Sequence, residues 1–287
     1  MEKNTKTSLY NTVKDFTVSN ETFQLIHNSE WDYLQTHPQP SADKLPDYYK
    51  SEDYISHTNT KRNLFEKVYH AVRVVSLKRK LKLINSFNSS NKNVLDIGCG
   101  TGDFLAEAQK NNWTITGIEP NDKARAIANS KTGNKIVDTD ILKTLPPHSF
   151  DVITLWHVLE HLPNLDDHLA LLKRLLKKDG TLIIAVPNYK SYDALHYKQF
   201  WAAFDVPRHL WHFSQESITR LFSKKDMQVI KTMPMVFDAF YVSLLSEKYK
   251  KSSLQPIRAF WIGLKSNWKA KTTTEYSSLI YCVKNTN

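Results

Sequence analysis

Cysteine is nearly missing from the 287-residue sequence, which holds only Cys99 and Cys282. One lies in a glycine-rich turn and the other in a C-terminal strand candidate, so there is no disulfide framework and no cysteine-based zinc site. Long apolar runs are also missing. The longest, such as 182–186, fall far short of the roughly 20 residues needed to cross a bilayer. The opening Met1-Glu-Lys-Asn-Thr-Lys6 leads into polar residues rather than an apolar stretch with a small-residue cleavage site, so secretion has no support. Collagen, coiled-coil and repeat periods are absent too. What remains, with 41% apolar and 24% charged residues, is an ordinary globular composition, and the reading is a cytoplasmic protein. The formal charge of +10 invites nucleic acid or an anionic membrane as a partner. Solubility explains such a charge more simply.

Residues 1–60 are polar, carry Pro38, Pro40 and Pro46, and read as an irregular appendage. Over 60–87, Leu64, Phe65, Val68, Val72, Val75, Leu77, Leu81 and Ile84 recur at three- and four-residue steps, predicting one or two amphipathic helices that make 61–92 a helical N-terminal part of the core. Short apolar runs then alternate with helical stretches, the pattern of an α/β protein with a parallel sheet and crossover helices. Strands are expected at 93–97, 114–119, 136–138, 150–156, 181–186, 227–233 and 277–284. Helices are expected at 104–111, 123–129, 165–176, which Asp179-Gly180 should terminate, and 215–222, which Ser214 should cap. The core thus spans 93–235, with its final strand in 275–287. Two insertions interrupt the alternation, an aromatic and histidine-rich one at 188–213 and another at 236–274.

The turn Asp96-Ile97-Gly98-Cys99-Gly100-Thr101-Gly102 follows a strand and opens a helix, so its backbone can approach a ligand where side chains would clash. A dinucleotide fingerprint would place its third glycine where Asp103 stands, and Asp96 would repel a pyrophosphate. A carboxylate at that position suits the ammonium of a methionine-like moiety instead. Glu119, ending the second strand, can take both hydroxyls of a ribose, and Asp140, after the third, can accept from an adenine amino group. These segments resemble the class I methyltransferases: 94–105 is similar to their first motif and Gly117-Ile118-Glu119-Pro120 to their acidic second strand. The stretches 149–162 and 180–188 are similar to the fourth and fifth strands, so the resemblance covers about 93–187.

The resemblance implies a Rossmann-like, seven-stranded, mostly parallel sheet with helices on both faces and an antiparallel last strand. It also implies S-adenosyl-L-methionine as cofactor and S-adenosyl-L-homocysteine as product. Around that cofactor it puts Asp96, Gly98, Cys99, Gly100, Gly102, Glu119, Pro120, Asp140, Ile141, Trp156 and His157. Within the family, the segment Asp205-Val206-Pro207-Arg208-His209-Leu210 is similar to a small-molecule branch related to quinone-ring O-methyltransferases. That similarity makes His209 the first choice for a general base, assisted by Asp205, with Arg208 toward the substrate. A structural ion pair between Asp205 and Arg208, with His209 packed in the loop, is an equal alternative. Tyr54 and His57 are candidate substrate contacts from the appendage.

His157-Val-Leu-Glu-His161 has the spacing of an inverted zinc-protease motif, but its place at the end of a sheet strand argues against that. Relatives often carry a cysteine zinc module before the core; here Trp31-Asp32-Tyr33 stands in that region, and no metal is expected. The 236–274 insertion is expected to be a helical lid. Its stripes, Phe237, Phe240, Tyr241, Leu244 and Leu245, then Ile257, Phe260, Trp261, Leu264 and Trp268, are read first as packing on the sheet edge and second as an interfacial membrane surface. The function expected is methyl transfer to oxygen of a small-molecule acceptor, with a lipid-borne acceptor in view. The alternatives are a nucleic-acid modifier, for which no Asn/Asp-Pro-Pro-Tyr tetrapeptide or RNA-binding module is found, and a non-catalytic adenosylmethionine-binding protein.

Overall fold

The computed structural model describes residues 7–41, 43–49, 64–87 and 91–286. Along the polar N-terminus the chain makes three strands, β1 (Thr7–Lys14), β2 (Thr22–Asn28) and β3 (Tyr33–His37), rather than an irregular appendage. The period-two signal is there: Phe23 and Leu25, then Leu34 and Thr36, point inward while their neighbours face water. With so few apolar residues per strand, the overall polarity of the segment masks it. Of two cis peptide bonds, His37-Pro38 follows β3 and Val206-Pro207 lies within the 188–213 insertion. Tyr54 and His57 lie outside the described residues.

α1 (Leu64–Asn85) is one long helix leading to the central sheet. The alternation then proceeds as β4 (Asn93–Ile97), α2 (Asp103–Lys110), β5 (Thr114–Ile118), α3 (Asp122–Thr132), β6 (Ile136–Val137), β7 (Phe150–Trp156), α4 (Leu165–Leu175) and β8 (Leu176–Pro187). The short α5 (Tyr192–Tyr197) and β9 (Trp211–His212) follow, then α6 (Gln215–Ser223), β10 (Met227–Pro234), α7 (Asp238–Tyr249), α8 (Gln255–Thr273) and β11 (Ser278–Asn285). Val94 and Leu95 of β4, Val152, Ile153 and Leu155 of β7 and Leu182 to Ala185 of β8 are wholly buried, because helices cover both faces of a parallel sheet. α4 buries Leu165, Leu169, Leu172 and Leu175, one face of a 3.6-residue helix. Asn121 caps α3, and Ser214 caps α6 through a reciprocal box with Ser217, as the sequence predicts for Ser214. Asp179-Gly180 does not end a helix: α4 stops at Leu175 and β8 runs through both residues, with its register against β7 shifting between Phe150 and Val152.

The seven-stranded sheet has the order β10-β11-β8-β7-β4-β5-β6. β4, β5, β6, β7 and β8 pair in parallel, and β11 is antiparallel to both β8 and β10. The chain enters at β4, fills one side through β6 and then crosses to β7. The carboxyl ends of β4 and β7 therefore flank the switch point where open α/β sheets bind ligands. The second sheet, β1-β2-β3-β9, is antiparallel, and its last strand comes from the 188–213 insertion through Leu34 opposite His212.

The 236–274 insertion is helical, as expected, but packs the other way round. α8 buries Ala259, Gly263, Ser266 and Ala270 and turns its large apolar residues outward. Gly263 permits the close approach to α7, since a Cβ there would sit 2.7 Å from Cδ1 of Phe240 and 3.0 Å from its Cα.

Candidate functional site

β4 delivers Asp96 to the switch point, where the carboxylate is 2% exposed and accepts a 2.6 Å hydrogen bond from the Thr154 hydroxyl of β7. Burial pushes its pKa up to about 7, against the pull of Thr154 and of Lys80. The chain then turns through Gly98, Gly100 and Gly102, all at positive φ. At Gly102 (φ 75) a Cβ would come within 2.8 Å of the Ala128 Cβ, so α3 packs directly on the turn. At Gly100 (φ 55) a Cβ would meet nothing within 4 Å, leaving the backbone open to a ligand.

Glu119, also 2% exposed, ties β5 to this turn. Its two oxygens accept from the backbone N–H of Gly100 at 2.8 Å and of Asn121 at 3.0 Å. Burial raises its pKa, and those two backbone bonds oppose the rise. Pro120 follows at the surface, its carbonyl 3.1 Å from Nη1 of Arg125. Asp140 and Ile141 are exposed in a short 3-10 turn after β6, and the neighbouring Asp138 takes the ion pair with Arg125 at 3.1 Å. Cys99 is half-buried, and burial pushes its thiol pKa up.

A cavity of about 240 Å³ lies against the turn. Asp96, Gly98, Cys99, Gly100, Thr101 and Trp156 line it together with residues of α1 and the start of α2, among them Arg73, Lys80 and Phe104. Lys80 and Arg73 had no distinguishing signal in the sequence, where they read as the polar face of a helix. Lys80 is half-buried with its ammonium 4.3 Å from the Trp156 ring centre, facing Asp96 and Asp238, and desolvation depresses its pKa to about 8. A carboxylate and an aromatic face here already accommodate a positive charge, as they would for a sulfonium or ammonium ligand. The buried Nε1–H of Trp156 has no hydrogen-bond partner among the described residues. On donor chemistry and on the open backbone at Gly100, the residues present fit the expected cofactor.

His157 follows Trp156 at positive φ (58), its ring between Asp238 of α7 at 3.1 Å and Glu160 at 3.4 Å. Burial opposes its charge, yet the two carboxylates hold the imidazolium and push its pKa up to about 10. Glu160 is 1% exposed, and among the described residues neither of its oxygens makes a bond of hydrogen-bond geometry. Burial works against its charge, but His157, His209 and His161 keep its pKa low.

Beyond Glu160 lies the second group. The His161 and His209 rings meet edge to face at 4.5 Å, and burial lowers the pKa of both. His209 Nδ1 donates to the Ala203 carbonyl at 2.9 Å, while Nε2 lies 3.8 Å from Asp205, which is paired with Arg208 at 2.5 Å. The structural ion pair and the histidine next to Asp205 thus coexist. His209, Asp205 and Arg208 do not line the cavity beside the glycine turn, and neither does His157; Glu160 lies between His157 and the His161–His209 pair. Glu160, His161 and His209 offer ligand atoms within 4.8 Å of one another, a set able to hold a metal ion. The histidine pattern from 157 to 161 pointed to this region, whereas the Asp238 contact has no local sequence signal because it joins positions 81 residues apart.

A family described as methyltransferase domain matches residues 68–232. A ubiquinone biosynthesis O-methyltransferase of Nitrosomonas europaea is 31% identical over 112 residues, 36% of this chain and 48% of that protein. An uncharacterized methyltransferase of Bacillus cytotoxicus is 35% identical over 102 residues, 34% of this chain and 48% of that one. The matches thus span about half the length of these curated relatives. Among solved structures, a SAM dependent methyltransferase from Archaeoglobus fulgidus aligns with a TM-score of 0.51 at 19% identity, over 77% of this chain and 98% of that one. Magnesium protoporphyrin IX methyltransferase from Synechocystis, with bound SAH, gives 0.52 at 14% identity, over 85% and 94%. These two likenesses are of fold.

Proposed function

We propose that the chain, which belongs to the methyltransferase-domain family, is an S-adenosylmethionine-dependent methyltransferase whose acceptor is a small molecule and whose methyl group goes to oxygen. The observation that carries the small-molecule reading is the 3.1 Å contact between Asp238 and His157. It sets α7 against the carboxyl end of β7, where an acceptor has to meet the methyl donor, and favours one small enough to enter beneath a helix. The partial similarity to proteins named for O-methylation supports oxygen.

When bound, the cofactor supplies a methyl group on a sulfonium, so in-line positioning dominates the rate. Asp96 and Trp156 would hold its positive end, and the backbone of Gly98 to Gly102 would admit it closely. Each Glu119 oxygen accepts one backbone N–H and keeps further lone-pair capacity for ribose hydroxyls. Pro120, Asp140 and Ile141 would border the adenine. His157 is held protonated by Asp238 and Glu160, which take its two N–H donors, so it would place a fixed positive charge near the acceptor rather than take its proton. His209 is neutral, with Nδ1–H committed to Ala203, which leaves Nε2 to receive the hydroxyl proton. Glu160 and Asp205 would stabilise the imidazolium formed, and Arg208 fixes Asp205. Tyr54 and His57 are proposed as further acceptor contacts.

The test supplies methyl-labelled cofactor with phenols, quinols and lipid-linked alcohols in one set of reactions and with transfer RNA and DNA in another. Label should enter a small molecule, and His209→Ala should slow that transfer about a hundredfold while cofactor affinity holds. Label confined to polynucleotide overturns the proposal. Cofactor binding without turnover on either set would instead mark a non-catalytic binding protein.

A further inference from the structure

α8 has its amphipathy inverted. The residues it buries against α7 and α5 are the small ones, Ala259, Gly263, Ser266 and Ala270, and the last polar group of that face, the Ser266 hydroxyl, is spent on Asp193 at 2.7 Å. On the opposite side Ile257, Trp261, Leu264 and Trp268 recur at three- and four-residue steps and continue the exposed Leu254 at the N-cap. Trp261 is 61% exposed and Trp268 66%. A helix serving only the core would bury its large apolar residues, because each contributes about 1.5–3 kcal/mol on leaving water. Here the contiguous stripe is left to solvent, which marks an interaction surface.

Charge decides the partner. Around the helix axis Lys265 and Lys269, together with Arg258, which pairs with Glu247 of α7 at 3.5 Å, border one side of the stripe and Lys271 the other, and α8 contains no acidic residue. A second copy of the chain laid along this stripe would set like charges along both seams, which no acid on α8 offsets. An anionic surface complements them. Aromatic residues at the centre, cations at the margins and no acid form the pattern of a helix lying in the headgroup region of a bilayer. Among the described residues no helix is long and apolar enough to cross a membrane, so the contact would be peripheral.

We infer that the outward face of α8, Leu254, Ile257, Trp261, Leu264 and Trp268 flanked by its four cations, docks the protein on an anionic lipid bilayer. The face is one helix layer from the chemistry, since α8 packs on α7 and α7 carries Asp238 to His157. The inference rests on α8 itself and stands whatever the acceptor is.

Flotation of the full chain with vesicles containing phosphatidylglycerol, and with vesicles of phosphatidylcholine alone, tests it. The wild type should float with the anionic vesicles at low salt and detach as salt rises. Trp261→Ser with Trp268→Ser should weaken binding by about tenfold or more, with circular dichroism and adenosylmethionine affinity unchanged. Lys271→Glu, at an exposed position, should weaken it by about fivefold and covers the case in which the double variant fails to fold. Absence of flotation by the folded wild type overturns the inference. So does binding indifferent to lipid charge and to both variants, or a dimer that the tryptophan substitutions dissociate while the wild type ignores vesicles.

Discussion

At Asp96 a single carboxylate sets how the cofactor site responds to pH. Its folded pKa of about 7 lies above the ordinary aspartate value, so between about pH 4 and 7 the folded chain holds a proton that the unfolded chain has released. Through this group the ligand-free protein loses stability as pH rises across that window. A cationic ligand needs the ionised form, so adenosylmethionine affinity should fall by up to about tenfold per unit as pH drops below 7. Calorimetric titrations at several pH values check this, and Asp96→Asn should bind weakly with the slope removed. The glycines give a contrast of a different kind. Gly102→Ala combines left-handed strain with a clash on Ala128 and should cost about 2 kcal/mol or more in denaturant melts. Gly100→Ala meets open space, so it should cost only about 1 kcal/mol of stability and exert its effect mainly on cofactor affinity.

Among the elements, the helical insertion and the sheet are joined through one buried acid. Asp193, at the start of α5, accepts from Ser266 of α8, from Trp201 Nε1 and from Ser277 beside β11, each at 2.7 Å, and is fully buried. Removing it strands three buried donors, each worth about 1–3 kcal/mol when left unmade. Asp193→Ala should therefore destabilise the protein by about 3 kcal/mol or more, whereas Asp193→Asn should recover part of that by keeping two acceptor lone pairs; chemical denaturation of both variants measures the difference. The outward stripe of α8 is the counterpart of this inward anchoring: an element held by small residues and hydroxyls has its large side chains left over for something outside the chain.

Over the whole molecule, Asp32 joins the four-stranded sheet to the loop after β8, taking hydrogen bonds from Lys190, Ser214 and Tyr189. Burial works against its charge, but Lys190, Ser214 and His27 depress its pKa to about 2, so its stabilisation is present above about pH 4 and is lost as pH falls toward 2. Asp32→Ala should loosen the β1–β3 sheet first. Limited proteolysis with mass spectrometry should then find cleavage within 7–37 at neutral pH, and the wild type should acquire the same pattern on acidification. The sequence by itself determined the alternation from β4 to β8, the two last strands and the ligand turn, because buried parallel strands are near-continuous apolar runs and a glycine turn between strand and helix is a local signal. It also marked Trp156, His157 and the 205–209 segment. Only the tertiary structure decided that the polar N-terminal strands join the 188–213 insertion in one sheet, since their β9 partner lies far along the chain. The same holds for Lys80 reaching the cavity, for Asp238 meeting His157 and for the outward turn of the α8 stripe: periodicity tells which residues share a face, whereas what that face touches depends on how distant elements pack.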